Sequence, residues 1–223
     1  MIALWWAEAG AHQALPLESR GALEILGAER PQLSKPRTRY TYYPGGAEIP
    51  ESVAPNIRNR SYTIAAECEI ETAEAGGVIV SQGSRFGGHA LYVSGGTLKY
   101  VYNFVGEQVQ IIESSEPIPT GHVVLSASFE KENDGLPTEG TVSLYIRDKK
   151  VGEAPISTQP GKFGLGGGGL VVGRSGAEQV VDDFAGERPW PFLGGTIKRV
   201  IIDVSGEAFT DLAQEARAAF AHQ

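Results

Sequence analysis

The chain has 223 residues, a formal net charge of −8 and one cysteine, Cys68. This length suits one large domain with extensions and is sufficient for a self-contained hydrophobic core. The negative charge, without a basic stripe, argues against nucleic acid and anionic membrane as partners. A single cysteine excludes an intramolecular disulfide framework, so the fold must rest on packing.

The chain opens with a predicted short helix over residues 2–14, which ends at Leu15-Pro16-Leu17. This segment lacks a basic region and places Glu8 after a short apolar run, so neither a secretory signal nor a membrane span is predicted. The sequence leaves the cellular location open and favours the cytoplasm. Four prolines between positions 31 and 50 predict that residues 20–59 are mostly irregular, and residues 1–59 are interpreted as an N-terminal arm.

From Ser61 onward, strand signals recur at the spacing of an antiparallel β-sandwich, which we assign to residues 60–205. The predicted strands are 61–70, 76–82, 89–94, 97–104, 107–113, 121–130, 140–148, 150–157, 169–174 and 194–204. Residues 206–223 are predicted to form an amphipathic helix that docks on the sandwich or on a partner. Its apolar stripe consists of Phe209, Leu212, Ala213, Ala216 and Phe220.

Two glycine-rich stretches raise the question of a ligand loop. In SQGSRFGGHALYVSGGTLKYVYN, Gly87-Gly88 and Gly95-Gly96 bracket a short apolar run, which is typical of a strand between two tight turns. The GLGGGG run of residues 164–169 lacks a following Lys-Ser/Thr and continues as a strand, so it indicates a turn instead of a phosphate site.

Acidic side chains suggest two further sites, each with a simpler alternative. Glu67, Glu69 and Glu71 alternate along one strand, which fits either a solvated sheet face or a carboxylate pair of a glycosidase. Asp182 and Asp183 fit either solvated loop acids or part of a calcium site at the sandwich rim. The four histidines show no metal-ligand spacing, and no catalytic triad context is present, so no metal, cofactor or catalytic residue is predicted.

The LKYVYNF run places Leu98, Tyr100, Tyr102 and Phe104 on one face of a strand. Such a row is either the inner face of the sandwich or a platform on which sugar rings stack. Together with Tyr92 on the neighbouring strand, Tyr100 and Tyr102 are the candidate ligand-binding residues.

Taken in order, several segments resemble the C-terminal region of the large bacterial arylsulfatases. The similarity runs from Leu4 to about Val204 and includes WWAEAG, LPLESR, YYPGGAEIPESVAPNIRNRSYTIAAECEI, GGVIVSQGSRFGGHALYVSGGTLKYVYN, SSEPIPTGHVVLSASFE and FLGGTIKRVIIDV. The resemblance implies a concanavalin A-like, laminin G-like jelly roll that follows an alkaline-phosphatase-like catalytic domain.

The sequence departs from that family at three places. Glu18-Ser19 stands where the family has an acidic pair, and His89 stands where a tryptophan is common. Cys68 is followed by Glu-Ile-Glu-Thr, so the Cys/Ser-X-Pro-X-Arg motif that sulfatases oxidise to formylglycine is missing. The resemblance therefore implies a noncatalytic accessory domain, with a sulfatase catalytic domain as partner in cis or as a separate chain.

Two functional expectations follow, from different classes. The first is the sulfatase accessory domain, and the second is an autonomous carbohydrate-binding, lectin-like module with a glycan as partner. Trp5, Trp6, Leu15 and Leu17 form an apolar group that predicts a partner interface, either with a sulfatase domain or by self-association.

Overall fold

The computed structural model describes residues 2–11, 37–133, 135, 137–159, 163, 168–176 and 178–206. The chain divides into two compact units between residues 35 and 36. In the first unit, helix α1 spans Ile2–Ala11, within the predicted helix. Leu15, Leu17 and residues 207–223, which carry the predicted C-terminal helix, lie outside the described residues.

The described part of the second unit is built from eleven β-strands. They are β1 (Arg39–Tyr42), β2 (Tyr62–Ile70), β3 (Gly77–Ser84), β4 (Gly87–Ser94), β5 (Thr97–Phe104), β6 (Gln108–Pro117), β7 (Gly121–Lys131), β8 (Thr138–Ile146), β9 (Lys149–Thr158), β10 (Val171–Val172) and β11 (Gly195–Asp203). Each of the ten predicted strands overlaps one of these.

The strands form two antiparallel sheets that pack as a sandwich. One sheet has six strands in the order β1-β11-β2-β7-β8-β9, and the other has five in the order β10-β3-β4-β5-β6. Strands β3 to β6 and strands β7 to β9 pair as consecutive hairpins, while β2 pairs with β11, which lies far from it in sequence. The prediction of an all-β, antiparallel β-sandwich is confirmed.

Strand β1 was not among the predicted strands, and it lies within residues 20–59, which were predicted to be mostly irregular. Arg39–Tyr42 pairs with β11 from Arg39 opposite Asp203 to Tyr42 opposite Val200. The run Arg-Tyr-Thr-Tyr is rich in residues that favour strands, but it is short and stands between two prolines. Its pairing partner lies at the far end of the chain, so local sequence gives little sign of it.

The core lies between the two sheets and follows the alternation of each strand. On β2, Ile64, Ala66, Cys68 and Ile70 are buried in it, and the glutamates between them face the other way. Burying each isoleucine contributes about 1.5–3 kcal/mol. Burial also raises the pKa of the Cys68 thiol to about 12, so this cysteine is an inert core residue.

The two Gly-Gly pairs of the glycine-rich stretch have different roles. Gly95 and Gly96 form the predicted tight turn, with φ of 63° and 78°. Gly87 and Gly88 instead begin β4, which corrects the predicted turn. A Cβ on Gly88 would lie 2.4 Å from the carbonyl oxygen of Gln82, so glycine is needed here for close approach of β3.

The five-stranded sheet is apolar on both faces. Its inner face belongs to the main core, and its outer face carries a second cluster that includes Val78, Ala90, Tyr92 and Val101. Residues 178–190, which we call the strap, cover that cluster with Val180 and Phe184. The strap connects β10 to β11 and has no strand within it. It therefore closes a face that would otherwise expose apolar side chains to water.

Candidate functional site

The three candidate tyrosines lie in the interior instead of on a surface. Tyr100 and Tyr102 belong to the main core, and Tyr92 lies under the strap on the opposite face of the sheet. All three are at most 1% exposed. The sugar-stacking interpretation is therefore wrong for these residues in this conformation, and the alternative of an inner sandwich face is correct for Tyr100 and Tyr102.

Each buried tyrosine hydroxyl has a hydrogen-bond partner, as burial of a polar group requires. The Tyr100 hydroxyl lies 2.6 Å from that of Tyr62, and the Tyr102 hydroxyl accepts the N–H of Gln159 at 2.9 Å. Burial raises the pKa of Tyr100 well above its ordinary value, so its hydroxyl stays neutral. The Tyr62–Tyr100 contact is structural, because it joins β2 of the six-stranded sheet to β5 of the five-stranded sheet.

Glu67 and Glu69 lie on the outer face of the six-stranded sheet, and Glu71 is exposed directly after β2 ends, which agrees with the solvated-face interpretation. The Glu67 carboxylate bridges two cross-strand neighbours, with Oε1 at 3.0 Å from His122 Nε2 and Oε2 accepting from Arg199 Nε at 2.8 Å. These contacts, first among them the bond from His122, lower the pKa of Glu67 despite its partial burial. A glycosidase acid needs a raised pKa, so this environment favours an ion-pair role.

Asp182 and Asp183 lie on the strap, and their contacts are with cations and hydrogen-bond donors. Asp183 Oδ2 accepts from the Tyr92 hydroxyl and from Lys99 Nζ, each at 2.9 Å. The Asp182 carboxylate accepts from the Gln179 side chain and lies 3.6 Å from an Arg85 guanidinium nitrogen. These contacts favour the interpretation of Asp182 and Asp183 as solvated or ion-paired loop acids over their interpretation as calcium ligands.

Histidines His89 and His122 are in the described ranges, whereas His12 and His222 are outside them. His89 is fully buried, with Nε2 at 3.3 Å from Gln82 Oε1, and burial lowers its pKa to about 3. Its Nδ1 has no hydrogen-bond partner. Within the described ranges, no three His, Cys, Asp or Glu side chains are grouped to hold a metal ion.

An exposed surface at the tips of two neighbouring hairpins was not predicted. We call it the hairpin-tip surface and define it by Arg85, Phe86, Val105 and Asp182. The Phe86 side chain is 72% exposed, and the Arg85 and Asp182 side chains are 55% and 86% exposed. The surface thus combines an accessible aromatic ring, a guanidinium and a carboxylate.

The two hairpin tips lie against each other. A Cβ placed on Gly106, in the β5–β6 turn, would lie 3.3 Å from the Cα of Phe86 and 3.0 Å from the carbonyl oxygen of Arg85. Gly106 has a φ of 79°, which favours glycine. This close approach brings Val105 and Phe86, from separate hairpins, to one surface.

Buried polar side chains fix the backbone of both tips. Ser84 Oγ accepts the Phe86 N–H at 3.2 Å, and Asn103 Nδ2 donates to the carbonyl of Arg85 at 3.0 Å. Asn103 Oδ1 accepts the Gly106 N–H at 2.9 Å, and Gln159 Oε1 accepts the Val105 N–H at 3.0 Å. Side chains on a backbone held in this way are positioned before any ligand arrives.

The sequence contains a signal from which the hairpin-tip surface could have been predicted. An Arg-Phe pair at the tip of a hairpin is exposed by its position, and an exposed phenylalanine in a turn has no packing reason. The turn was predicted at Gly87-Gly88, two residues after the observed tip, so the exposure of Phe86 was not predicted. Asp182 reaches the surface through the strap, from about one hundred residues further along the chain.

Helix α1 presents a separate apolar surface. Ile2, Leu4, Trp5 and Trp6 are all exposed, and the two indole rings meet edge to face at 4.9 Å. Among the described residues, no helix is long and apolar enough to cross a membrane. The partner interface at Trp5 and Trp6 stays a prediction, and both side chains are exposed and accessible to a partner.

No protein-family model matches the chain, and no curated protein matches it. Solved structures with a similar fold include the Ruminococcus gnavus sialidase CBM40 domain bound to α2,3-sialyllactose, with 17% identity, a TM-score of 0.44, and 73% of this chain and 83% of that chain covered. A Limulus polyphemus SAP-like pentraxin has 15% identity, a TM-score of 0.38 and 78% coverage of each chain.

The mouse laminin α1 domains LG4-5 have 10% identity and a TM-score of 0.44, with 76% of this chain and 40% of that chain covered. These similarities concern the sandwich fold. A fold of this kind hosts many functions, so a ligand has to be argued from the surface of this chain.

Proposed function

We propose that this chain is a noncatalytic carbohydrate-binding module and that the hairpin-tip surface contacts the glycan. The observation that carries the proposal is the Phe86 ring, exposed at a hydrogen-bonded tip with the side chains of Arg85 and Asp182 beside it. An aromatic ring offers apolar area with little loss of side-chain entropy, which suits the C–H face of a sugar. Charged donors and acceptors suit the surrounding hydroxyl groups.

The support beneath the surface strengthens the proposal. A solvent-exposed phenylalanine contributes nothing to the core, yet its backbone N–H and the adjacent carbonyl are both held by buried side chains. Fixing these groups in advance reduces the entropy lost on binding. The Arg85–Asp182 pair is wide at 3.6 Å and solvent-exposed, so exchanging it for hydroxyl groups costs little.

The proposal is tested by screening the purified chain on an array of neutral, sialylated and sulfated glycans, with sialyllactose among the first probes. For any glycan that binds, Phe86→Ala is expected to weaken affinity at least tenfold, about 1.4 kcal/mol. Tyr43→Ala is the matched control, since Tyr43 is an exposed aromatic residue elsewhere on the sandwich. Equal affinities of the two variants, or no binding to any glycan class, would contradict the proposal.

A second candidate function is an accessory domain of an arylsulfatase-type protein. Support comes from the ordered resemblance of segments from Leu4 to about Val204 and from the exposed indoles of α1, which suit contact with another domain. In this role the chain has no sulfatase activity alone. Hydrolysis of an aryl sulfate by the purified chain would contradict it, and binding to a separate sulfatase catalytic domain that depends on Trp5 and Trp6 would support it.

A further inference from the structure

We propose that Tyr92 and Lys99 are positioning residues for the hairpin-tip surface, acting from beneath through Asp183. This inference rests on the proposed function, because it assigns a role in glycan binding to one fully buried residue, Tyr92, and one mostly buried residue, Lys99. It also gives Tyr92 a role different from the stacking one suggested by the sequence.

The contact that carries the inference is the meeting of two donors at one carboxylate oxygen. Asp183 Oδ2 accepts from the Tyr92 hydroxyl at 2.9 Å and from Lys99 Nζ at 2.9 Å. Tyr92 and Lys99 are cross-strand neighbours on β4 and β5, so the sheet fixes both donors. The Lys99 side chain is 14% exposed, and its ammonium also lies 3.8 Å from Glu113. A partly buried, charge-assisted pair of this kind is stronger than one in open solvent.

Between Val180 and Phe184 the strap is held by side-chain contacts, whereas its last residues, Pro189 and Trp190, also accept backbone hydrogen bonds. Besides the Asp183 contacts, Asn103 Nδ2 donates to the carbonyl of Val180 at 2.9 Å. Phe184 packs on the Tyr92 ring with centroids 5.0 Å apart and on Trp190 at 5.9 Å. Together these contacts fix the segment between Val180 and Phe184, which includes Asp182.

Asp182 is the member of the hairpin-tip surface that the strap supplies. The Asp183 carboxylate faces the sheet, where it contacts Tyr92 and Lys99. The exposed carboxylate of Asp182 lies beside Arg85. Asn103 holds both Arg85 and Val180 through their carbonyl oxygens, so one buried amide joins the hairpin tip to the strap. Loss of the Asp183 contacts is therefore expected to loosen the segment that carries Asp182, while the hydrogen bonds that hold the backbone around Phe86 stay in place.

The Tyr92 hydroxyl is suited to this role throughout the ordinary pH range. Burial, followed by its hydrogen bond to the Asp183 carboxylate, raises the pKa of Tyr92 well above its usual value. The phenol consequently remains a neutral donor to a charged acceptor. Its ring also fills the second apolar cluster, so the hydroxyl can be removed without opening a cavity.

The test compares Tyr92→Phe with Tyr62→Phe, which removes a buried hydroxyl from the main core and not from the strap. In the absence of glycan, amide hydrogen exchange in residues 178–187 is expected to become about tenfold faster in Tyr92→Phe and to stay unchanged in Tyr62→Phe. Lys99→Met should have the same effect as Tyr92→Phe, since it removes the other donor. Wild-type exchange rates in the strap of both Tyr92→Phe and Lys99→Met would overturn the inference.

Glycan affinity supplies the second readout. Tyr92→Phe is expected to bind about five- to tenfold more weakly than wild type, and saturating glycan should slow its strap exchange, because binding must now order the strap. If Phe86→Ala loses affinity and Tyr92→Phe does not, the positioning role is wrong while the proposed function stands. If wild type binds no glycan, the proposed function fails, and strap exchange alone decides whether the Asp183 contacts order the strap.

Discussion

Glu67 Oε2 lies 2.8 Å from Nε of Arg199, a residue 132 positions further along the chain. The two residues are directly opposite each other on β2 and β11, the strands that join the first and last parts of the sandwich. The same carboxylate also contacts His122 on β7, so it links three adjacent strands of the six-stranded sheet.

Glu67→Gln is expected to destabilise the fold by about 1 kcal/mol, because it replaces a carboxylate that two cross-strand donors share. Glu69→Gln is the matched control, since Glu69 and Lys198 are 3.6 Å apart and nearly half exposed, and its effect should be close to zero. Urea unfolding at neutral pH measures both. Equal midpoints for the two variants would show that the bridge is no more important than an ordinary surface pair.

The same bridge predicts a pH dependence. The folded protein lowers the pKa of Glu67 below its ordinary value of 4.5, so the stabilisation is present above that value and is lost as pH falls through the folded pKa. Glu67→Gln removes this titration. The stability difference between wild type and Glu67→Gln should therefore shrink as pH falls below 4.5, and a difference that stays constant through the acid range would contradict the account.

His89 predicts a second acid effect in a higher pH window. Its pKa is about 3 in the folded protein and 6.5 ordinarily, so between these values the unfolded chain binds a proton that the folded protein does not. Stability is expected to fall with decreasing pH by up to about 1.4 kcal/mol per unit. In His89→Phe the slope between pH 6.5 and 4 should be smaller by that amount, whatever its stability at neutral pH. Identical slopes would mean that His89 is protonated in the fold.

Gly88→Ala is expected to destabilise the sandwich by about 2–3 kcal/mol, because the new methyl group would lie 2.4 Å from a backbone oxygen of β3. Gly46→Ala is the control, since its Cβ would be 3.6 Å from the nearest heavy atom and should change stability by less than about 0.5 kcal/mol. Thermal unfolding compares them. A Gly88→Ala protein as stable as Gly46→Ala would place Gly88 in a turn, as first predicted.

The exposed indoles of α1 predict self-association of the isolated chain. Sedimentation at increasing concentration should show a dimer, and Trp5→Ala with Trp6→Ala should weaken it while far-UV circular dichroism of the sandwich is unchanged. A monomer at all concentrations, with indole fluorescence already blue-shifted and resistant to quenching, would contradict this prediction.

The sequence predicts the sandwich well because its strands alternate clearly. Glu67 and Cys68 show the rule: one faces outward and the next is buried, as alternation on β2 requires. Gly95 and Gly96 likewise mark a turn that only glycine accommodates easily. These features depend on neighbours in sequence.

The candidate site could not be predicted as well, because it depends on contacts between distant segments. Tyr92 alternates correctly onto the outer face of its sheet, and a local pattern predicts exposure there. The strap covers Tyr92 with Phe184, which is 92 positions further along the chain. No residue close to Tyr92 in sequence predicts this contact. Asp182 joins Arg85 for the same reason, so the site exists only after the strap has packed.

The proposed glycan contact is tested most directly by mapping backbone amide chemical shifts while the best-binding glycan from the array is titrated into the isotope-labelled chain. The account predicts that the largest saturable shifts fall on residues 84–87, 104–106 and 179–183, and that they disappear in Phe86→Ala. Saturable shifts confined to the outer face of the six-stranded sheet, around Glu67 and Arg199, or retention of the hairpin-tip shifts in Phe86→Ala, would contradict it.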